Sequence, residues 1–292
     1  MRKKIIQAVQ NFFAISKFQN EFHKRIVNRH RWFVEKKESH ENYPRLTHKH
    51  SLSEWKSEEY WQIFLSNKYM GREFAKKHGC KVPDVYWQGT QADFIDLKIE
   101  KLPRNFVLKP TNFSSSKGVY LMNNGVELFS NKSFSTKNLK ESFLKELGGK
   151  NTDVIIEELI PDEMGEFRIL DDYRLYMFNG ELAFIRFDIR NGKSYDITGF
   201  YDENWSLIKH KVLNSSISDK AIAAPESLKE MIMNAKTLSK QYQIFVRVDF
   251  FASIEGAIFG EFTPFPRMGK GFTKYGSNYL LNYWDKYCLG EL

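Results

Sequence analysis

The chain has 292 residues, of which 42% are hydrophobic and 15% aromatic, so it is long enough for about two domains and apolar enough to bury a core. No apolar run approaches the roughly 18 residues that a membrane-spanning helix needs. Two cysteines, Cys80 and Cys288, exclude a disulfide scaffold and a cysteine zinc cage, and we expect them to be reduced residues of a cytoplasmic protein.

The positive charge is concentrated at the start of the chain. Residues 1–50 hold twelve Lys/Arg and four Glu, a net of +8, whereas the remaining residues balance. A signal peptide is disfavoured, because Gln7, Gln10 and Asn11 interrupt the apolar residues. Two interpretations stay open: a helix on an anionic membrane surface, and a helical extension packed on the main domain. Nucleic acid is not an expected partner, because no known binding motif is present.

The predicted elements alternate irregularly along the chain. Helices are predicted over 55–78, 136–147 and 226–241. Strands are predicted over 81–86, 105–110, 119–122, 153–160, 173–178, 181–189, 244–251 and 257–263. Asn179-Gly180 predicts a tight hairpin turn. This mixed order favours an α+β fold over a doubly wound parallel sheet.

The last predicted hairpin places acidic residues across from each other. If the turn centres on Glu255, Asp249 lies opposite Glu261 and Arg247 opposite Thr263, all on one face. Facing carboxylates destabilise a strand pair unless something offsets their repulsion. A Mg²⁺ ion shared with substrate phosphates would do so, and Arg247 could hold a phosphoryl group. A solvated hairpin face with ordinary charges is the alternative.

Lys109 ends an otherwise apolar strand, and a polar loop follows it. A buried lysine is costly unless it meets an anion. The loop offers backbone N–H groups, hydroxyls and a further cation, which suits a flexible phosphate cover without the Walker A order. Its candidate residues are Ser114, Ser115, Ser116, Lys117 and Gly118. An exposed loop beside a lysine that extends to solvent is the alternative.

The next strand ends in Glu157 and Glu158 and continues into Leu159 and Ile160. An edge of exposed backbone donors and acceptors beside apolar side chains suits adenine, whereas two surface glutamates are the alternative. Asp172, just before the following strand, could accept hydrogen bonds from ribose hydroxyls.

The order of these motifs resembles the ATP-grasp superfamily, and within it the TupA-like (teichuronopeptide-biosynthesis-like) branch, from residue 68 to 270. The matching motifs are Phe106-Val-Leu-Lys-Pro, the Ser/Gly loop, Ile155-Ile-Glu-Glu, Asp172-Tyr-Arg, Val246-Arg-Val-Asp and Gly260-Glu-Phe-Thr-Pro-Phe-Pro. The resemblance implies two α+β lobes that grip ATP. It divides the chain into a basic helical extension (1–54), an N-terminal segment (55–104), a small lobe with the phosphate loop (105–160) and a large lobe with a metal site (161–292).

The resemblance also implies roles for these residues. Lys68, Lys109 and the loop would contact the ATP phosphates, residues 157–160 would hold adenine, and Asp172 and Arg174 would lie at the ribose side.

On the catalytic side, the resemblance implies that Asp249 and Glu261 bind Mg²⁺. Thr263 stands where many such enzymes have a metal-binding Asn. Arg247, with Lys109, would stabilise an acylphosphate. Candidates for the acceptor or phosphate side are Arg186, Asp188 and Arg190, with a charged strand face as the alternative.

The implied activity is an ATP- and Mg²⁺-dependent carboxylate–amine ligase in bacterial surface polysaccharide biosynthesis. Its substrate would be a small or lipid-linked glycan whose uronic-acid carboxylate is joined to an amine, and residues 1–50 would dock at the inner membrane face. A glycan phosphotransferase and a non-catalytic glycan- or membrane-binding protein on a degenerate scaffold are the alternatives.

Overall fold

The structure, a computed structural model, describes residues 18–37, 45–114, 116–150, 152–215 and 222–288, with only the backbone of Ile197 and Thr198. Its helices are Glu21–Lys37, Leu52–Trp55, Lys68–Lys77, Gln91–Asp96, Thr136–Leu147, Leu228–Tyr242 and Lys274–Tyr287, with 3₁₀ helices at Trp61–Ser66, Ile99–Lys101 and Pro266–Gly269. No helix in these ranges is long and apolar enough to cross a membrane.

The smaller sheet has six antiparallel strands in the order β1-β6-β2-β3-β4-β5. They are β1 (Val85–Gly89), β2 (Phe106–Pro110), β3 (Tyr120–Asn123), β4 (Val126–Glu127), β5 (Lys132–Ser133) and β6 (Val154–Glu158). Helix Thr136–Leu147 occupies the predicted residues. It buries Leu139, Phe143 and Leu147, because positions three or four apart share one helix face.

The larger sheet has five antiparallel strands in the order β11-β10-β7-β8-β9. They are β7 (Asp172–Phe178), β8 (Glu181–Asn191), β9 (Ser194–Tyr201), β10 (Phe245–Ser253) and β11 (Gly256–Thr263). The predicted turn between β7 and β8 is present, with Asn179 and Gly180 at φ 49° and 95°, as a two-residue hairpin of this type requires.

Side-chain alternation gives the larger sheet two different apolar faces. Leu175 and Met177 of β7 face a core that includes residues of helices Lys68–Lys77 and Leu228–Tyr242. Tyr176 and Phe178 face a second core under the N-terminal and C-terminal helices. Asp172 and Arg174 alternate in step with Tyr176 along β7. Their side chains therefore lie on the same face of the sheet as the second core.

The segment predicted as one helix over 55–78 is interrupted, so that prediction was wrong. The side chain of Asn67 accepts hydrogen bonds from the backbone N–H groups of Tyr69 (3.0 Å) and Met70 (3.2 Å) and thereby starts a new helix at Lys68. The strand predicted over 81–86 was also misplaced, because β1 runs from Val85 to Gly89.

The N-terminal helix Glu21–Lys37 packs on the larger sheet. Phe22, Ile26 and Phe33 are fully buried. Arg29 donates a hydrogen bond of 2.7 Å to the Phe245 carbonyl, and its guanidinium lies 4.3 Å from the Trp284 ring. This apolar face therefore has a protein partner, which contradicts the membrane-surface interpretation for this helix and agrees with the packed extension. Residues 1–17 and 38–44 lie outside the described residues.

Candidate functional site

Strands β10 and β11 pair as predicted at the four residues of interest. Arg247 lies opposite Thr263, and Asp249 lies opposite Glu261. The turn itself differs from the prediction, because Ser253 pairs with Gly256 and only two residues connect the strands. Gly260 is the extra residue of a β-bulge, which restores the expected register beyond it.

The two carboxylates converge on the guanidinium of Arg247. Its Nε and Nη2 donate to Oδ1 and Oδ2 of Asp249 at 2.6 Å each, and Nη2 also lies 3.2 Å from Oε1 of Glu261. The oxygens therefore point to the same side of the sheet. The sequence analysis expected Mg²⁺ to offset the repulsion between the two carboxylates. In the structure, Arg247 supplies a positive charge between them.

The electrostatics leave room for a further cation. Burial, with the charge of Glu261, raises the pKa of Asp249 to about 6 despite the opposing charges of Arg247 and Arg174. For Glu261, burial acts in the same direction, but Lys68 and Arg247 outweigh it and lower the pKa. Arg247 and Arg174 therefore do not fully offset the effect of burial on the Asp249 carboxylate.

The donor atoms fit Mg²⁺, which prefers carboxylate oxygens and usually keeps water or phosphate oxygens as its other ligands. Asp249 and Glu261 supply the carboxylates. Within the described ranges, no group of three or more His, Cys, Asp or Glu is arranged to hold a metal, so an ion here would depend on such outside ligands. The Thr263 hydroxyl accepts from Arg247 (2.9 Å) and donates to Glu261 (3.1 Å), which orients that carboxylate.

Two lysines lie between this site and Glu157 of the smaller sheet, and Lys68 is the one that interacts with Glu261. Lys109 of β2 forms a buried ion pair with Glu157 of β6. Lys68 begins helix Lys68–Lys77, and its ammonium donates to the Phe113 carbonyl. The pKa of Lys68 is lowered, mainly by burial and also by the charge of Lys109. The charges of Glu261 and Glu157 act in the opposite direction. Lys68 thus interacts with charged groups of both sheets.

The loop after β2 is held in a compact conformation. Ser116 has φ 55°, and the backbone N–H of Lys117 donates to the Ser114 carbonyl at 3.2 Å. The backbone N–H of Gly118 donates to Glu146 at 2.9 Å, so this group is already occupied. Ser115 lies outside the described residues.

The predicted adenine edge is only partly where we expected it. Strand β6 pairs with β1 on one side and with β2 on the other, so Glu157 lies inside the sheet rather than at an edge. Glu158 is also engaged, because its backbone N–H donates to the Asp84 carbonyl at 2.8 Å. Leu159 and Ile160 follow the end of the strand with buried side chains, and their contact with adenine stays a prediction.

A layer of alternating charges extends from Asp249 across β7 and β8. Arg174 contacts both Asp172 (2.8 Å) and Asp188. Asp188 also accepts from Arg186 Nε at 2.8 Å, and Asp172 lies 2.6 Å from Arg190 Nε. Asp172 and Arg174 therefore belong to one buried network with the three residues predicted for the acceptor or phosphate side.

The network connects to the phosphate loop and to one residue that the sequence analysis missed. Arg190 Nη1 lies 3.3 Å from the Ser116 hydroxyl, so the larger sheet contacts the loop directly. Tyr195 of β9 lies opposite Arg190. Its position directly after the Asn191–Ser194 turn was the available signal, but it has meaning only once β9 is known to pair with β8.

The chain is similar to known proteins in sequence and in fold. A model of the TupA-like ATP-grasp family matches residues 46–281. No curated protein matches the sequence. Similar solved structures include D-alanine–D-alanine ligases from Helicobacter pylori (22% identity, TM-score 0.44, covering 77% of this chain and 60% of that one) and Bacillus anthracis (17%, 0.48, 77% and 67%).

A third similar structure is the N5-carboxyaminoimidazole synthetase from Staphylococcus aureus in complex with ADP (16% identity, TM-score 0.43, covering 75% of this chain and 52% of that one). The chain thus spans 60% of the length of the H. pylori ligase.

Proposed function

Because this chain belongs to the TupA-like ATP-grasp family, we propose that it is an ATP- and Mg²⁺-dependent ligase that joins a carboxylate to an amine. The observation that supports this most directly is the Arg247–Asp249–Glu261 arrangement, in which two carboxylates and a guanidinium share one side of the hairpin. Lys68, at the start of helix Lys68–Lys77, interacts with Glu261 of the same group.

The proposed reaction has two steps. A carboxylate oxygen of the substrate forms a bond to the γ-phosphorus of ATP while the bond to ADP breaks, which yields an acylphosphate. An amine then attacks the acyl carbon, phosphate leaves with the electron pair of the broken C–O bond, and the nitrogen loses one proton. Mg²⁺, when bound, neutralises phosphate charge.

In this proposal the protein's side chains position the substrates and neutralise their charge, and none of them forms a covalent bond to a substrate. Asp249 and Glu261 would hold the metal, and Thr263 orients Glu261. Lys68 and Lys109 would bind phosphate oxygens. Arg247 would stabilise the charge that develops on the transferred group, which is how such sites gain most of their rate.

For nucleotide binding, we propose that the loop 114–118 closes over the phosphates, that Leu159 and Ile160 contact adenine, and that Asp172 accepts from the ribose. For the acceptor, the family resemblance suggests a carboxylated sugar of a surface polysaccharide, either small or lipid-linked. A contact with an anionic membrane is proposed for residues 1–17 only, since helix Glu21–Lys37 packs on the sheet.

The test measures Mg·ATP binding by calorimetry and then the products formed with candidate sugar acids and amines. We expect wild type to bind nucleotide, and Asp249→Asn and Glu261→Gln to lose the Mg²⁺-dependent part of that affinity. Asp285→Asn, which removes an exposed carboxylate paired with Arg25, is the matched control. Release of ADP and phosphate with an amide product supports the ligase.

Other outcomes identify the alternatives. A phosphorylated acceptor would indicate a phosphotransferase. Absence of nucleotide binding would indicate a non-catalytic protein on a degenerate scaffold, an alternative consistent with a hydroxyl at position 263 in place of an amide.

A further inference from the structure

Three segments that are far apart in the sequence meet just before the C-terminal helix Lys274–Tyr287. The backbone N–H of Asn214 donates to the Gly271 carbonyl at 2.9 Å. The backbone N–H of Gly271 donates in turn to the side chain of Gln19 at 3.0 Å. The loop around residue 210, the segment after β11 and the first described residues of the chain therefore belong to one surface.

This surface gathers five exposed cations, which we call the basic patch. They are Lys209, Lys211, Arg267, Lys270 and Lys274. None of them forms an ion pair with a residue in the described ranges, and residues 207–214 and 265–278 contain no Asp or Glu. On the third segment, Glu21 already pairs with Lys24 and Arg25. The complement of such a patch is an anionic surface.

Packing fixes the patch against the start of the C-terminal helix. The ring of His210 stacks on the half-buried ring of Tyr275, with 4.4 Å between the centroids and 14° between the planes. Lys209 and Lys211 flank this histidine, so the loop that carries them lies against the first turn of the helix. Tyrosine has an apolar ring and a polar hydroxyl, and this combination suits the level of lipid headgroups.

The chain that leads into this surface has the composition of a membrane-binding segment. Residues 1–17 contain four Lys/Arg and no Asp or Glu. Their apolar residues include Ile5, Ile6, Val9, Phe12 and Phe13. They join the described chain next to Gln19, which contacts the surface of the basic patch. A soluble polyanion matches the charges alone, whereas a bilayer matches both the charges and the apolar residues.

We propose that the basic patch is the face of the folded chain that contacts an anionic lipid bilayer. Stable attachment to a bilayer takes two signals, and an apolar segment together with a basic patch supplies them. The proposed function assigned a membrane contact to residues 1–17, and this inference adds a surface of the folded chain to it. It does not depend on the ligase reaction.

The test measures sedimentation of the full chain with vesicles of phosphatidylcholine and phosphatidylglycerol, and with vesicles of phosphatidylcholine alone. We expect the chain to bind the anionic vesicles more tightly, and added salt to weaken that binding because exposed charges are screened. The patch variant is Lys209→Gln/Lys211→Gln/Lys274→Gln. It should bind anionic vesicles about tenfold or more weakly, since each lysine near an anionic bilayer contributes about fivefold in affinity.

The matched control removes the same charge from three exposed lysines elsewhere, around the smaller sheet. It is Lys101→Gln/Lys132→Gln/Lys145→Gln, and it should keep the vesicle affinity of wild type. Both triple variants should keep the circular dichroism spectrum and the melting temperature of wild type, because the substituted side chains are exposed.

Four results would overturn the inference. Two are equal affinity of wild type and the patch variant for anionic vesicles, and equally tight binding of wild type to both kinds of vesicle. A third is binding of poly-glutamate that the patch variant weakens, without binding to vesicles, which would assign the patch to a soluble polyanion. The fourth is loss of vesicle binding in Arg2→Gln/Lys3→Gln/Lys4→Gln alone, which would leave the contact of residues 1–17 without the patch. None of these measurements involves nucleotide, so the proposed ligase function is tested separately.

Discussion

Replacing Arg247 by Met tests whether a divalent cation can substitute for the guanidinium between the two carboxylates. Arg247 donates to Asp249 through two nitrogens and to Glu261 and Thr263 through one. Met has a similar length but no charge. The variant therefore leaves the buried Asp249 and the partly exposed Glu261 facing each other without the cation that lies between them.

The magnitude follows from this geometry. Removing one partner of a buried ion pair costs about 3–5 kcal/mol, because the remaining charge stays desolvated. For a protein of this size, that corresponds to a fall in melting temperature of about 5–8 °C. A ligand at about one hundred times its dissociation constant adds about 2.7 kcal/mol of stability, so Mg²⁺ should restore much of the loss.

The assay compares thermal unfolding of wild type and Arg247→Met with and without Mg²⁺, against a sodium salt of the same ionic strength. We expect Mg²⁺ to stabilise the variant more than wild type. Arg25→Met is the control, because its ion pair with Asp285 (2.5 Å) is at the surface and its loss should cost less than about 1 kcal/mol with no Mg²⁺ dependence. Equal Mg²⁺ stabilisation of wild type and Arg247→Met would refute the substitution of the guanidinium by Mg²⁺, and no Mg²⁺ stabilisation of either protein would refute the cation site.

Two further predictions concern stability. Lys109→Met leaves Glu157 buried without its ion-pair partner and should lower the free energy of unfolding in urea by about 3 kcal/mol. The double variant Lys109→Met/Glu157→Gln should recover most of this loss. A double variant as unstable as Lys109→Met would show that the ion pair does not account for the loss. Burial and the charges of Lys77 and Lys56 lower the pKa of His78 to about 4. The unfolded chain then binds the proton more tightly, so stability is lost as pH falls from about 6.5 toward 4, by about 1–2 kcal/mol for this half-buried ring. In His78→Phe this loss should disappear, whereas an unchanged pH profile would assign it to other groups.

The local elements of this protein follow from nearby residues. The hairpin β7–β8 was predictable because Asn179 and Gly180 adopt positive φ readily, and helix Thr136–Leu147 because its apolar residues recur on one face. The pairing of Asp249 with Glu261 was also correct, but for an incomplete reason. A two-residue turn and a bulge at Gly260 together give the register that we derived from a longer turn.

The errors occurred where distant residues decide the structure. Apolar residues over 55–78 predicted one helix, but the approach of Gly71 to the Leu65 carbonyl packs two segments together, with Asn67 between them. Glu157 was expected at a sheet edge, because the sequence does not indicate that β1 adds to the far side of β6. The N-terminal helix is basic and amphipathic, and amphipathicity alone does not distinguish a membrane from a protein core as its partner.

The sequence by itself determined which residues alternate along each strand, where the tight turn between β7 and β8 lies, and that acidic and basic groups recur on one face, because these depend on a backbone period and on neighbours within a few positions. The tertiary structure alone decided that Arg247 lies between the carboxylates, that Lys68 interacts with Glu261, and that the Tyr195 ring lies over three arginines from β7 and β8. Those contacts join residues far apart in the chain, and their energies depend on burial, which exists only after the sheets have packed.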